Sequence, residues 1–260
     1  MNCFALNLEF CSRICGNDRH VEQNDVTDKI IEAVIINDHN FVARHKHLLN
    51  SSSQSPLLRI CTKRGIIKAD YPMYCKAIKK LIEHGSDINQ TNHLGNTPLI
   101  YCALNNHYDF VVLLSQYRHL DINHQNMQMQ SAAHVALKSG SLNICSLLLQ
   151  DSRADLNLRD INGNTLLFST FYANNYPVMG LLIARDANCN TKNAALNTLF
   201  NLLCKEYYNE LVFNAIEPKL DTDTLFFPNT FGETPLMNVC YKNPCNKKLL
   251  IHLKTTYKQI

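Results

Sequence analysis

Apolar residues along this chain fall into two kinds of run that alternate. A short one, Leu99 to Leu104, is followed after a polar gap by a longer one, Phe110-Val111-Val112-Leu113-Leu114. Ile144-Cys145-Ser146-Leu147-Leu148-Leu149 is another of the longer kind. Their spacing is that of amphipathic helices. A Thr or Ser opens each short run, at Ser55, Thr97, Ser131, Thr165, Thr198 and Thr234, in steps of 42, 34, 34, 33 and 36 residues. A second landmark closes each pair: Ser86-Asp87-Ile88-Asn89, Leu120-Asp121-Ile122-Asn123, Ala154-Asp155-Leu156-Asn157, Ala187-Asn188-Cys189-Asn190 and a degenerate Leu220-Asp221-Thr222-Asp223. These step by 34, 34, 33 and 33. Two independent landmarks with one period predict a repeated helix pair. No single pair buries its own apolar face, so neighbours must stack.

The local chemistry agrees. Gly95, Gly163 and Gly232 stand two residues before the opening Thr, where a tight turn needs positive φ. The Thr can cap the first helix, and Pro98 or Pro235 takes the first helical position, which needs no N–H. Gly95-Asn96-Thr97-Pro98-Leu99, Gly163-Asn164-Thr165-Leu166-Leu167 and Gly232-Glu233-Thr234-Pro235-Leu236 resemble the G-x-T-P-L opening of ankyrin repeats, and His134-Val135-Ala136 resembles the H-x-A that follows it. The resemblance covers residues 25 to 260. It implies an all-α ankyrin-repeat solenoid of stacked helix–turn–helix units with short hairpin loops. The expected units are 25–50 (a divergent first pair), 51–90, 91–124, 125–158, 159–191, 192–227 and 228–260, the last with a second helix from Cys245 to Lys254. Residues 1–24 fit no repeat and are expected to be a leader or small cap.

Three departures stand out. The 42-residue first step leaves an excess placed at Ile66 to Tyr74, between the two helices of its repeat. Ala194-Ala195-Leu196-Asn197-Thr198 lacks the opening Gly, and Tyr207 stands where a helix-ending Gly is expected. Distortion of that repeat is therefore expected.

Composition narrows the function. The chain has 260 residues, 46% hydrophobic and 18% charged, with a net charge of +3. That is too mild for nucleic acid or membrane as principal partner. Arg44-His45-Lys46-His47, Lys76 to Lys80 and Lys247-Lys248 read as solvated helix faces. No run of 18 apolar residues predicts a transmembrane helix. The N-terminus lacks the basic start of a signal peptide. Eleven cysteines, an odd number in a long chain, fit a reducing compartment better than a disulfide scaffold. A cytoplasmic monomer without cofactor is expected. The Asn-rich composition is similar to that of ankyrin proteins which intracellular bacteria or large DNA viruses deliver into host cells, so a host protein is an expected partner.

Candidate chemistry is sparse. Cys61, Cys102, Cys204 and Cys240 occupy the small, buried positions of first helices, where packing is their expected role. Cys11, Cys15 and His20, or Cys240, Cys245 and His252, supply only part of a zinc ligand set. His134 matches the family's structural histidine. No phosphate-cradling Gly-rich loop or paired-carboxylate motif occurs. The alternative to a binding module is a Cys–His hydrolase or transferase on the same scaffold, which would need a base within reach of a thiol.

The resemblance implies binding through a concave groove made by hairpin tips and first helices. Carried onto this sequence, that surface comprises His93, Leu94, Asn96, Leu104 and Asn105; then Met127, Gln128, Gln130, Lys138 and Ser139; then Ile161, Asn162, Asn164, Tyr172 and Ala173. The last repeat adds Thr230, Phe231, Glu233, Tyr241 and Lys242. Leu94, Met127, Ile161, Tyr172, Phe231 and Tyr241 make it apolar, as a covered surface would be. The resemblance also implies hydroxylation candidates, Asn89 and Asn157, each with Leu eight residues before it and Asp-apolar immediately before it. A structural role for these side chains, tying the hairpin, is the favoured reading.

Overall fold

The computed structural model describes residues 24–51, 55–205 and 209–242. The described residues are helical, with two isolated antiparallel bridges, Arg159 with Thr165 and Lys192 with Thr198. The chain divides into two compact units, Met1–Met127 and Gln128–Ile260.

In the first unit α1 (Asn24–Ile36) is followed by α2 (His39–Arg44), α3 (Pro56–Thr62), α4 (Tyr71–Glu83), α5 (Pro98–Leu104) and α6 (Tyr108–Ser115). First helices pack on first helices, α3 on α5, and second on second, α4 on α6. Where α6 packs on α4, Phe110, Val111 and Leu114 of the one and Ala77, Ile78 and Leu81 of the other are buried. Each large side chain so covered contributes about 1.5–3 kcal/mol over leaving it in water.

The excess of the first step is loop and helix together. Residues 63–67 run as loop, a 3₁₀ turn spans Lys68–Asp70, and Tyr71 to Tyr74 lengthen α4 to 13 residues. Tyr71 pins this insertion to the next repeat. Its hydroxyl lies 2.8 Å from Nδ1 of buried His107, whose Nε2 is 2.7 Å from the Lys63 carbonyl. A carbonyl only accepts, so Nε2 carries the proton and Nδ1 takes the Tyr71 hydroxyl hydrogen.

The second unit repeats the plan: α7 (Ala132–Lys138), α8 (Leu142–Gln150), α9 (Leu166–Tyr172), α10 (Tyr176–Ala184), α11 (Leu199–Lys205), α12 (Glu210–Ile216), α13 (Thr222–Phe226) and α14 (Pro235–Lys242). α7, α9 and α11 pack in succession, α8, α10 and α12 likewise, and α14 lies on α11. Phe168 and Phe200 are fully buried in the first-helix layer. The expected helix from Cys245 to Lys254, and Tyr207, lie outside the described residues.

Within each unit, asparagines on the turns that leave second helices stitch neighbouring repeats together. Asn89 Nδ2 donates to the His119 carbonyl at 2.7 Å, and its Oδ1 accepts from Asp121 N–H at 2.8 Å. Asn50 does the same to Gly85 and Asp87, at 3.0 and 2.7 Å. In the second unit Asn190 bonds the Lys219 carbonyl and Asp221 N–H at 2.9 and 3.1 Å, and Asn157 accepts from Asn188 N–H at 2.9 Å.

The expected capping holds in three helices. Thr97, Thr198 and Thr234 accept from Ile100, Asn201 and Met237 N–H at 3.3, 3.1 and 3.3 Å. Ser131 instead turns its hydroxyl to His134 Nδ1, 2.9 Å away. Cys61, Cys102 and Cys204 are buried as expected, whereas Cys240 is exposed on α14. Its neighbour Val239, in the register of buried Cys102, is fully buried.

At its opening turn the fifth repeat is regular despite the missing Gly. Leu196 itself adopts the left-handed conformation (φ +55°) that Gly95, Gly163 and Gly232 adopt elsewhere, and Met129 does so at φ +56°. Leu196 N–H bonds the Asn193 carbonyl at 2.9 Å and Asn193 N–H the Asn197 carbonyl at 3.0 Å, so the turn is intact. The conformation costs a non-glycine residue about 1–2 kcal/mol. Leu196→Gly should therefore raise stability by about 0.5–1 kcal/mol, the strain relief being partly offset by the looser unfolded chain. Gly163→Ala should lower it by about 2 kcal/mol, since a Cβ there would stand 2.8 Å from Ala194 N at φ +72°. Urea unfolding of the two variants checks both signs.

Burial pushes the His134 imidazole down to about 4 from the usual 6.5, the Asp160 carboxylate acting weakly the other way. Burial lowers His107 too. Between these values the unfolded chain binds a proton that the folded chain refuses, so stability falls as pH drops from about 6.5 toward 4. Urea unfolding at pH 7 and at about pH 4.5 should show His134 accounting for roughly 2–3 kcal/mol of the loss, and His134→Asn should remove that share.

Candidate protein-binding surface

Four of the described hairpins between repeats are each built around one side-chain oxygen. Asn92 Oδ1 accepts from Leu94 and Asn96 N–H at 3.0 and 2.9 Å. In the second unit Asp160 holds Asn162 and Asn164, Asn193 holds Ala195 and Asn197, and Asn229 holds Phe231 and Glu233, all at 2.9–3.0 Å. Asn and Asp suit this turn because the short side chain reaches its own backbone two residues on.

The tips are then tied to one another within each unit. Met127 N–H donates to the Leu94 carbonyl at 3.1 Å in the first. Ile161 to Gln128, Ala194 to Asn162 and Thr230 to Ala195 repeat this bond in the second, at 3.0–3.1 Å. Beneath them runs a carboxamide line, Asn126 to Asn96 in the first unit, Asn193 to Asn164 and Asn229 to Asn197 in the second. The tip backbones are thus satisfied by their neighbours, and their side chains are left over.

Those side chains face solvent. Met127, Ile161 and Phe231 are 69, 68 and 77% exposed, too much for residues packed against adjoining hairpins. His93, Leu94, Gln128, Asn162, Tyr172 and Tyr241 are exposed as well. The structure brings His93, Leu94 and Met127 onto the first unit, and Gln128, Ile161, Asn162, Tyr172, Phe231 and Tyr241 onto the second. Phe231 is flanked by a Lys205–Glu233 ion pair of 2.9 Å, with the Lys205 ammonium 5.8 Å from its ring. The pair is partly exposed and orients more than it stabilises.

Other residues of the expected surface have structural work. Asn96 and Asn164 accept the carboxamide bonds beneath the tips, and Asn105 Nδ2 donates to the Cys61 carbonyl at 3.1 Å. Asn89 and Asn157 have their carboxamides engaged with the following repeat. Met129 and Leu196, absent from the expected surface, are exposed on their tips. Their signal was their place two residues before Ser131 and Thr198, where Gly95, Gly163 and Gly232 stand before Thr97, Thr165 and Thr234 and take positive φ.

Burial also acts on the thiols. It raises Cys145 to about 12 and pushes Cys102, Cys189 and Cys204 upward. A thiol so placed is not ionised near neutrality and is a poor nucleophile. Among the described residues no group of three or more His, Cys, Asp or Glu side chains could hold a metal ion. Cys11, Cys15, His20, Cys245 and His252 lie outside them. No described helix is long and apolar enough to cross a membrane.

The family model described as ankyrin repeats matches three times, over residues 20–126, 66–160 and 118–193, together more than half of the chain. Among solved structures the chain is similar to the ankyrin repeat domain of Bcl-3, described as a unique member of the IkappaB protein family. The TM-score is 0.63 at 18% identity, covering 87% of this chain and 97% of that one. The likeness at that identity is one of fold. With its period, its capped helix pairs and its tied hairpin tips, the chain belongs to the ankyrin-repeat family.

Proposed function

We propose that this chain is a non-catalytic protein-interaction module that captures a partner on its hairpin tips and first-helix faces. Ankyrin repeats generally mediate contacts between proteins. The observation that carries the finer reading is the pairing of satisfied backbone with exposed apolar side chains at the tips, Ile161, Phe231 and Met127 above all. Exposed apolar surface costs solubility unless something covers it. Because the tips are held by the hydrogen bonds beneath them, little ordering remains to oppose docking. Tyr172 and Tyr241 offer rigid aromatic anchors of the kind whose loss weakens interfaces by about 2 kcal/mol or more.

The thiols of Cys102, Cys145, Cys189 and Cys204, which burial pushes upward, support this reading over the rival Cys–His enzyme. A host protein as partner, a monomeric state and a reducing cytoplasm rest on composition and cysteine usage.

The test is a double substitution. Ile161→Ala with Tyr172→Ala should abolish capture of a binding partner isolated with the native chain, while the thermal midpoint moves by no more than about 2 °C. A large fall in the midpoint would assign these residues to the core, and unchanged capture would move the site elsewhere.

A further inference from the structure

Positive charge in this chain is concentrated. Between His39 and Gly85 lie nine Lys and Arg against two Asp and Glu, a local net charge of +7 in a chain whose total is +3. Everything outside that stretch is therefore net negative, at −4. Four of the eleven histidines, His39, His45, His47 and His84, fall within it. In sequence these are separate clusters. The fold lays them together within the first unit.

The contacts are specific. His39 Nδ1 of α2 lies 3.1 Å from Nε2 of His84, at the end of α4. The Lys46 side chain passes 3.8 Å from where a Cβ on Gly85 would stand. Lys80 Nζ donates to the Val34 carbonyl at 3.1 Å and to Asn37 Oδ1, anchoring α4 on the end of α1. Lys76, Lys79 and Lys80 share one face of α4 by their spacing. Burial, and after it the Lys76 charge, lowers the Lys80 ammonium below its ordinary value.

Acidic groups lie at the margins of this face, and Glu83 acts on Lys80 from the same helix. Arg59 is paired with Asp28 at 3.4 Å, and Asp38 caps Phe41 N–H. Arg44, Lys46, Lys76 and Lys79 are exposed. Folding has brought like charges together across about 40 residues of chain, which costs free energy that an anionic counter-surface would return.

We propose that this face of the first unit is a second docking site, separate from the hairpin tips, for an acidic segment of polypeptide. The neighbouring aromatic rings are already occupied. Tyr71 is bonded to His107, Tyr74 is buried, and Phe41 stacks on His45 at 4.3 Å, so bases of a single-stranded nucleic acid find no open platform. Two isolated isoleucines, Ile36 and Ile67, are the large apolar side chains exposed among described residues 24–85, too few for the apolar face of a membrane-surface helix. Carboxylates on a flexible chain can meet ammonium and guanidinium groups spread over two helices.

The full chain is titrated against a short labelled peptide of mixed Asp and Glu, the Asn/Gln version of that peptide, a duplex DNA and vesicles of phosphatidylcholine with phosphatidylserine, at roughly 0.05 and 0.2 M salt. The acidic peptide should bind best and weaken with salt. Arg44→Glu with Lys46→Glu, and separately Lys76→Glu with Lys79→Glu, should each weaken it at least roughly tenfold. Lys138→Glu in the second unit should change it by less than about twofold. Circular dichroism and the thermal midpoint verify folding, and the milder Arg44→Gln with Lys46→Gln replaces a reversal that does not fold. Ile161→Ala with Tyr172→Ala should leave peptide binding intact, so loss of the tip site and loss of this one read separately. No binding of the acidic peptide at low salt, tighter binding of duplex or vesicles, or an equal loss with Lys138→Glu would overturn the proposal.

Discussion

Asn190 holds the carbonyl of Lys219 with one end of its carboxamide and the N–H of Asp221 with the other. Asn89 and Asn50 do the same in the first unit. These bonds span about thirty residues of chain and fix the height and register of each repeat on its neighbour. Register matters because no helix pair covers its own apolar face. Phe110 or Phe168 is buried only when the adjoining pair lies where the asparagine sets it. A hydrogen bond that adds about 1 kcal/mol by itself thus decides whether the larger apolar terms are collected.

The same logic leads from fold to surface. Backbone groups of the hairpins are satisfied by their own Asn or Asp and by the next tip, which leaves the side chains of Leu94, Met127, Ile161 and Phe231 without structural duty. A surface made this way can vary its side chains without disturbing the bonds that hold it. The tip side chains are thus rigidly presented.

Charge is distributed on a different principle. The tips are nearly neutral, with asparagine in most of the places where an acidic residue would also close the turn. The basic groups sit on α2, on the 3₁₀ turn Lys46–Leu48 that follows it, and on α4, whose start carries the insertion that Tyr71 and His107 lock. The two kinds of surface are therefore chemically distinct, one largely apolar and close to neutral, the other basic.

Much was legible in the residues alone. The period, the alternation of short and long helices, the capping Thr and the proline that follows it are local in the chain, and local preferences survive without knowledge of neighbours. The exposed tip residues followed from that period, because a position in the repeat implies a side of the hairpin. What the tertiary structure decided was everything set by partners some thirty residues away. It decided that Leu196 bears a left-handed turn in place of glycine, held there by Asn193 and the flanking tips. It buried Val239 and turned Cys240 outward. It spent Asn96, Asn105 and Asn164 on bonds between repeats while leaving Ile161 and Phe231 bare. It also gathered Arg44, Lys46 and the lysines of α4 onto one unit. A sequence records which residues recur. Which of them touch depends on how one repeat is laid on the next, and that is settled by packing energy summed over the stack.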